Sequence, residues 1–160
     1  MNNTDSKNIN HNFIITIIFA GIAGGLMEIL WVSFYSFFNS VSAPEIARQV
    51  TASLFPFAAE SSFAPMTGIA IHLALSLILA LLFVAIVLKP VFARYGKPGI
   101  MVSSLITLAL VWKINFFIVL PLLNPDFITL MPLFVTLISK LLFGVAMGWT
   151  LIKTYPIKHS

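Results

Sequence analysis

The 160-residue chain is 59% hydrophobic and only 9% charged, and its mean hydropathy is +1.03. Because charged residues make up about a quarter of an ordinary soluble domain, this composition excludes that class and indicates an integral membrane protein. The formal net charge of +4 comes mainly from basic residues that flank apolar segments, so it indicates membrane orientation rather than nucleic-acid binding.

The length suits one compact bundle, since four spans of about 20 to 25 residues with short connections use nearly all of it. The predicted fold is all-α: a polytopic membrane protein with four transmembrane helices and a short amphipathic surface helix between the first and the second. The spans are predicted at about 13–38, 65–88, 99–120 and 128–152, and the surface helix at about 43–55. They form a single domain over 13–152, flanked by a flexible cytoplasmic tail at 1–12 and a cytoplasmic tail at 153–160.

The first span places one carboxylate, Glu28, deep inside an apolar run. At 100° per residue, Glu28 lies on the same arc as Gly21, Gly24, Trp31 and Tyr35. Small residues beside a polar group in a membrane helix are typical of a face on which another helix packs closely. The acid is therefore predicted to face the inside of the bundle.

The surface helix is predicted from a start signal and a period of four. Ser42 is followed three residues later by Glu45, which makes a capping box, and Pro44 stands in the first turn, where proline is tolerated. Apolar residues then recur every fourth position up to Pro56, as in a helix lying on a membrane surface. We interpret it as an ordered connector; a mobile lid is the alternative.

The basic residues predict the orientation of the bundle. One side carries Lys7, Lys89, Arg94, Lys97, Lys153 and Lys158, and the other carries Arg48 alone. Positively charged loops stay in the cytoplasm. We therefore expect a multi-pass protein of the cell's inner (plasma) membrane with both termini in the cytoplasm.

Each predicted span carries one ionisable residue, and the depths of these residues limit which of them can be partners. Glu28 and Lys140 lie on helices that cross in opposite directions, and side chains lean toward the N-terminus of their helix. The two side chains therefore lean toward each other, which predicts an ion pair. His72 lies nearer the outer surface, with Ser76 on the same stripe, and completes a candidate buried polar cluster. The pair either sets helix register or belongs to a transport path, and both interpretations stay open.

The third span differs, because its polar residues lie on opposite faces. Lys113 shares a face with apolar residues, whereas Asn115 lies on the face of Trp112. Both faces cannot contact the same neighbour, so Lys113 predicts a second contact surface, such as another subunit. Trp31 and Trp112 lie in the outer half and are candidates for the wall of a cavity.

Most common cofactor and metal motifs are absent from the sequence. The chain has no cysteine, which excludes thiolate metal sites, disulfides and cysteine nucleophiles. One histidine and one carboxylate at similar depth do not make a metal site. No phosphate-binding loop, dinucleotide fingerprint or nucleic-acid-binding module occurs. We expect no cofactor, no metal and no nucleic-acid partner.

Four short segments carry a resemblance. AGIAGGLM, IHLALSLILALLF, NFFIVLPLL and FGVAMGW stand in the four predicted spans in that order. In these features the chain resembles a type of small, uncharacterised bacterial four-helix inner-membrane protein. That type has a histidine before the FG of the fourth span, where this chain has Lys140. The resemblance implies the four-helix fold and no particular activity.

Two functions are consistent with these observations. The first is a structural or accessory integral membrane protein that packs through glycine-lined helix faces, in a homo-oligomer or beside a larger membrane complex. The alternative is a small proton-coupled transporter or channel that uses Glu28, His72 and Lys140. An enzyme is the third and least favoured hypothesis.

Overall fold

The computed structural model describes the backbone of residues 3–154 and the side chains of residues 13–154. This part of the chain is helical and contains no strand. Its helices are α1 (Asn3–Phe37), α2 (Ala43–Leu54), α3 (Ala64–Leu82), α4 (Lys89–Ile114), α5 (Leu120–Leu123), α6 (Pro125–Thr129) and α7 (Leu133–Thr154). A 3₁₀ turn, Pro56–Ala58, follows α2, and two π-helical segments, Phe83–Leu88 and Asn115–Val119, join α3 to α4 and α4 to α5.

Three helical stretches of the described chain are long and apolar enough to cross a membrane. They are Phe13–Phe37, Ala64–Leu123 and Leu133–Thr154. The second stretch is interrupted at Gly96, whose backbone has φ 61° and ψ −152°. Glycine adopts such angles without the steric penalty that a Cβ brings. The predicted all-α class is thus confirmed for the described residues, and these three stretches are compatible with a membrane protein by their length and composition.

The sequence predicts a loop between the second and third spans. In the structure this segment is helical on both sides of Gly96 instead. The helical backbone passes from α3 through the π-helical segment into α4 and continues to Tyr95. Pro90 does not stop it: this proline stands at the start of α4, directly after the π-helical segment. The break in direction is therefore concentrated at one glycine.

Two other predicted boundaries also differ. The backbone of α1 is helical from Asn3, whereas the sequence predicts a flexible tail over 1–12. The last long helix begins at Leu133 rather than near 128, because Pro125 starts the separate helix α6 and Pro132 directly precedes α7. Of the predicted tail at 153–160, residues 155–160 lie outside the described residues.

Helix α1 lies between α3 and α7, and α7 packs in turn against α4. Glycines mark these contacts. A Cβ built at Gly21 would lie 2.9 Å from Cα of Leu77 on α3, and one built at Gly144 would lie 3.2 Å from the carbonyl oxygen of Ser104 on α4. One core cluster joins all four long helices, with members such as Ile17, Ala20, Ala80, Phe83, Ile100, Leu108, Phe143 and Met147. The glycine-lined faces are thus used inside the chain.

Helix α2 packs against the beginning of α3. The hydroxyl of Thr51 donates to the carbonyl oxygen of Ala64 at 2.6 Å, and Gly68 leaves room for the Ala47 carbonyl. The predicted cap is present in one direction: the Ser42 hydroxyl accepts from the backbone N–H of Glu45 at 3.3 Å. The Glu45 carboxylate instead accepts from Gln49 on the next turn.

Candidate functional site

The site is built on an ion pair between α1 and α7. Nζ of Lys140 lies 2.6 Å from Oε1 of Glu28 and donates to Oε2 at 2.8 Å. The Glu28 and Lys140 side chains are only 12% and 15% exposed. The structure therefore brings together the two residues whose depths predict a contact, and the ammonium contacts both carboxylate oxygens.

A close approach of the two helices makes this contact possible. One turn before Glu28, Gly24 lies against the ring of Phe143, and a Cβ at Gly24 would lie 2.5 Å from Cδ1 of that ring. Ser139, one residue before Lys140 on α7, is buried beside this pair. Because charge-assisted hydrogen bonds are the stronger kind, the contacts between Lys140 and Glu28 offset part of the loss of solvent around the charged groups.

His72 reaches the same carboxylate from α3. Its Nε2 lies 3.3 Å from the Gly25 carbonyl oxygen and 3.8 Å from Oε2 of Glu28. A carbonyl oxygen only accepts, so the bond to Gly25 requires a proton on Nε2. The distance to Glu28 is too long for a hydrogen bond. The imidazole therefore lies next to the ion pair, and its hydrogen bond goes to the backbone of α1.

Ser76 is buried on the same stripe but does not interact with the imidazole. Its hydroxyl donates to the backbone carbonyl of His72, one turn earlier in α3, at 2.8 Å. This bond satisfies the hydroxyl inside its own helix. Ser76 also faces Gly25, where a Cβ would come within 2.7 Å of its Oγ. Its contribution is close packing of α1 on α3.

Two tryptophans hold the first turn of α7. The Trp31 indole on α1 donates to the carbonyl oxygen of Val135 at 3.0 Å. The Trp112 indole on α4 donates to the hydroxyl of Thr136 at 2.9 Å. Thr136 lies one turn before Lys140, so both indoles contact α7 next to the ion pair. The two rings hold this helix end from both sides.

Two candidate residues lie apart from the cluster. Lys113 is exposed and has neither a hydrogen bond nor an ion pair with any of the described residues. Asn115 is half-buried at the start of a π-helical segment, and its side chain forms no hydrogen bond in the described part of the chain. The two residues belong to different faces, as the helical period predicts.

Several structural contacts are not evident from the sequence. Ser104 donates to the Gly144 carbonyl at 2.9 Å and joins α4 to α7. Asn124 donates to the backbone oxygen of Gln49, to its side-chain oxygen and to the Ser53 hydroxyl. Ser104 does share a face with Trp112, which is a weak signal. Nothing in the sequence indicates that the turn after α5 contacts α2.

The arrangement offers proton chemistry more readily than metal binding. No group of three histidine, aspartate or glutamate side chains suitable for a metal ion occurs among those described. A carboxylate, an ammonium and an imidazole in contact are groups that gain and lose protons.

A cavity of about 330 Å³ lies in the groove between α1 and α3, apart from the Glu28–Lys140 pair. Its lining is apolar: Ile14, Ile17, Ile18, Leu77, Ile78 and Leu81.

Comparison with known proteins gives no relative from which a function could be transferred. No protein-family model matches the chain, and neither a curated protein nor a solved structure matches it.

Proposed function

We propose that the protein crosses the inner (plasma) membrane four times and has a structural or accessory role there. The depths of two serines support four crossings. Ser76 lies against Gly25 and Ser104 lies against Gly144, on the two helices that the Glu28–Lys140 pair joins. The two serines are therefore at similar depth, although an unbroken helix between them would be roughly 42 Å long. A reversal of the chain between Ser76 and Ser104, which includes the break at Gly96, accounts for both contacts.

The proposed orientation puts the turn at Gly96 in the cytoplasm and α2 at the outer surface. Exposed Lys89, Arg94 and Lys97 surround that turn, in agreement with the preference of basic loops for the cytoplasm. At the other end, Ile46 of α2 is buried, while Phe55 and Phe57 beyond it are exposed. A helix with one buried face and aromatic residues beside it suits the membrane interface.

The single observation that carries the structural role is the closed geometry of the ion pair. Lys140 contacts both oxygens of the Glu28 carboxylate. Neither charge is left free to receive a substrate without breaking a contact between α1 and α7. An ion pair of this kind fixes the register of two helices in a membrane, where charged side chains rarely lack a partner.

Proton and solute flux in liposomes tests the proposal. The purified protein and its Glu28→Gln variant are reconstituted with a pH-sensitive dye inside the vesicles and challenged with a pH gradient. We expect both proteins to fold and neither to raise the flux above that of empty vesicles. A flux in the wild-type protein that Glu28→Gln abolishes would overturn the structural role.

The four crossings are tested separately, on a chain that has no cysteine of its own. Arg94→Cys and Ser62→Cys, both at exposed positions, are labelled in intact cells with a maleimide that does not cross the membrane. We expect label on position 62 only, and label on both only after the cells are opened. Label on position 94 in intact cells would refute the orientation.

Proton-coupled transport is the second candidate, and the position of His72 favours it. Its Nε2 lies 3.8 Å from Oε2 of Glu28, and its side chain is 19% exposed, more than either partner of the ion pair. Histidine titrates near neutral pH, and ionisable residues inside membranes often mark proton paths. In the same liposomes, this hypothesis requires a flux that His72→Leu also removes.

A further inference from the structure

The outward face of α4 carries a lysine, Lys113, that has no hydrogen bond or ion pair with any residue described by the structure. Exposed residues recur along α4 at Val102, Ile106, Leu110 and Lys113, and at Phe117 in the π-helical segment that follows. The apolar members are 55% to 56% exposed. They form one stripe at helical spacing, with Lys113 as its only charged member. The opposite face, with Ser104 and Leu108, is buried.

The depth of Lys113 makes its exposure unusual. From Lys113 to Asn124, in the turn at the outer end, the helical rise is about 16 Å. From Gly96, in the turn at the inner end, it is about 25 Å. A hydrocarbon core about 30 Å thick, centred between these turns, therefore contains the Lys113 backbone. An exposed ammonium at this depth has a large free-energy cost unless it finds a partner.

Lipid headgroups are a poor partner for this side chain. Lysine side chains on a helix lean toward its N-terminus. The N-terminal end of this crossing is Gly96, so the Lys113 side chain leans away from the nearer, outer surface. Of the other acids, Glu45 in α2, Glu60 in the connection to α3 and Asp126 in α6 lie at the proposed outer end, and Asp5 precedes the first span. Glu28 is already paired with Lys140. Neither a phosphate nor a carboxylate of a second copy is well placed at this depth.

We propose that the Lys113 stripe binds a transmembrane helix of another protein that carries an aspartate or glutamate in its outer half. The carboxylate would pair with Lys113, and apolar side chains would cover Ile106, Leu110 and Phe117. Charge complementarity selects this occupant, because only a membrane-embedded acid brings a counter-charge to that depth. The inference rests on the membrane crossing of α4 proposed above and adds the chemistry of a partner.

The test uses a synthetic transmembrane helix of leucine and alanine with one glutamate at the matching depth, and an identical helix with glutamine. The full-length Ser62→Cys protein carries a donor dye, and the outer end of each peptide carries an acceptor. Association is measured by energy transfer in neutral phosphatidylcholine vesicles at mildly alkaline pH. We expect the glutamate peptide to bind roughly three- to tenfold more tightly than the glutamine peptide.

The Lys113→Met variant should remove this preference, and Lys89→Met, which loses an exposed lysine outside the stripe, should retain it. Equal binding of the two peptides, or a preference that survives Lys113→Met, would overturn the inference. A preference that disappears when phosphatidylglycerol is added would also overturn it, in favour of a lipid headgroup. Cysteine labelling at positions 62 and 94 in the same vesicles shows separately whether the four-crossing topology holds.

Discussion

Lys140 on α7 lies 2.6 Å from Oε1 and 2.8 Å from Oε2 of Glu28 on α1. The two residues are 112 positions apart in the chain and join the two central helices of the bundle. Each neutralises a charge that would otherwise be buried alone. The pair therefore couples the stability of the bundle to both side chains together.

Removing one partner of the ion pair should destabilise the protein more than removing both. Glu28→Gln and Lys140→Met should each lower the free energy of unfolding in detergent by on the order of 3 kcal/mol, because each leaves a buried charge without its counter-charge. The double variant should lose less than either single variant, because it leaves no buried charge without a counter-charge. Thermal or denaturant unfolding of the four proteins measures this coupling. Lys113→Met, at an exposed position without a partner, is the control and should have little effect; simple additivity would argue against a coupled pair.

Alanine at Gly68 should destabilise the protein more than alanine at Gly144. A Cβ at Gly68 would overlap the carbonyl oxygen of Ala47, a backbone atom of α2, whereas one at Gly144 would lie 3.2 Å from the Ser104 oxygen. Overpacking of this kind costs about 1 to 3 kcal/mol, and Gly68→Ala should also speed hydrogen exchange in α2. If Gly144→Ala proved the more damaging, or exchange in α2 stayed unchanged, the contact between α2 and α3 would be looser than described.

The two indole hydrogen bonds should contribute similar amounts to the stability of α7. Trp31→Phe and Trp112→Phe keep an aromatic ring but remove a donor to Val135 or Thr136. We expect each to lower the free energy of unfolding by about 1 kcal/mol and to increase exchange of the first amides of α7. Trp149→Phe is the matched control, because Trp149 is 59% exposed. An equal loss in all three variants would point to lost ring packing instead of lost hydrogen bonds.

Asn124 should control how firmly α2 is held. Its amide nitrogen donates to the Gln49 backbone, the Gln49 side chain and Ser53. Asn124→Asp keeps the shape and loses these donors, so it should loosen α2 nearly as much as Asn124→Ala does. Hydrogen exchange in α2 should rise in both variants while exchange in α7 stays unchanged. Thr129→Ala, at an exposed position in α6, should leave both helices unaffected.

The ion pair could be predicted from the sequence because two simple regularities apply to it. Burying a charge in a membrane carries a large free-energy cost, so an isolated Glu28 and an isolated Lys140 each need a partner. Helix rise and the lean of side chains then limit which residues are at matching depth. The same reasoning separates Lys113 from Asn115, since residues two apart on a helix face different ways.

The helix boundaries could be predicted less well from the sequence, because they depend on single dihedral angles. Prolines at positions 90 and 98 and three basic residues are typical of a loop, yet the chain stays helical up to Gly96. The sequence does not distinguish a proline that ends a helix from one in a first turn. Pro125 and Pro132 have the same ambiguity: Pro125 begins α6, and Pro132 directly precedes α7.

By itself, the sequence determined that the chain has helices apolar enough to cross a membrane and which helix faces carry their charged residues, because hydropathy and helical period are local properties. The tertiary structure decided which glycine meets which neighbour: Gly21 and Gly25 face α3, Gly24 faces α7, and Gly144 faces α4. It also decided that Ser104 and Asn124 join separate helices. These choices depend on how each helix is rotated against the next, which is set by contacts between residues far apart in the chain.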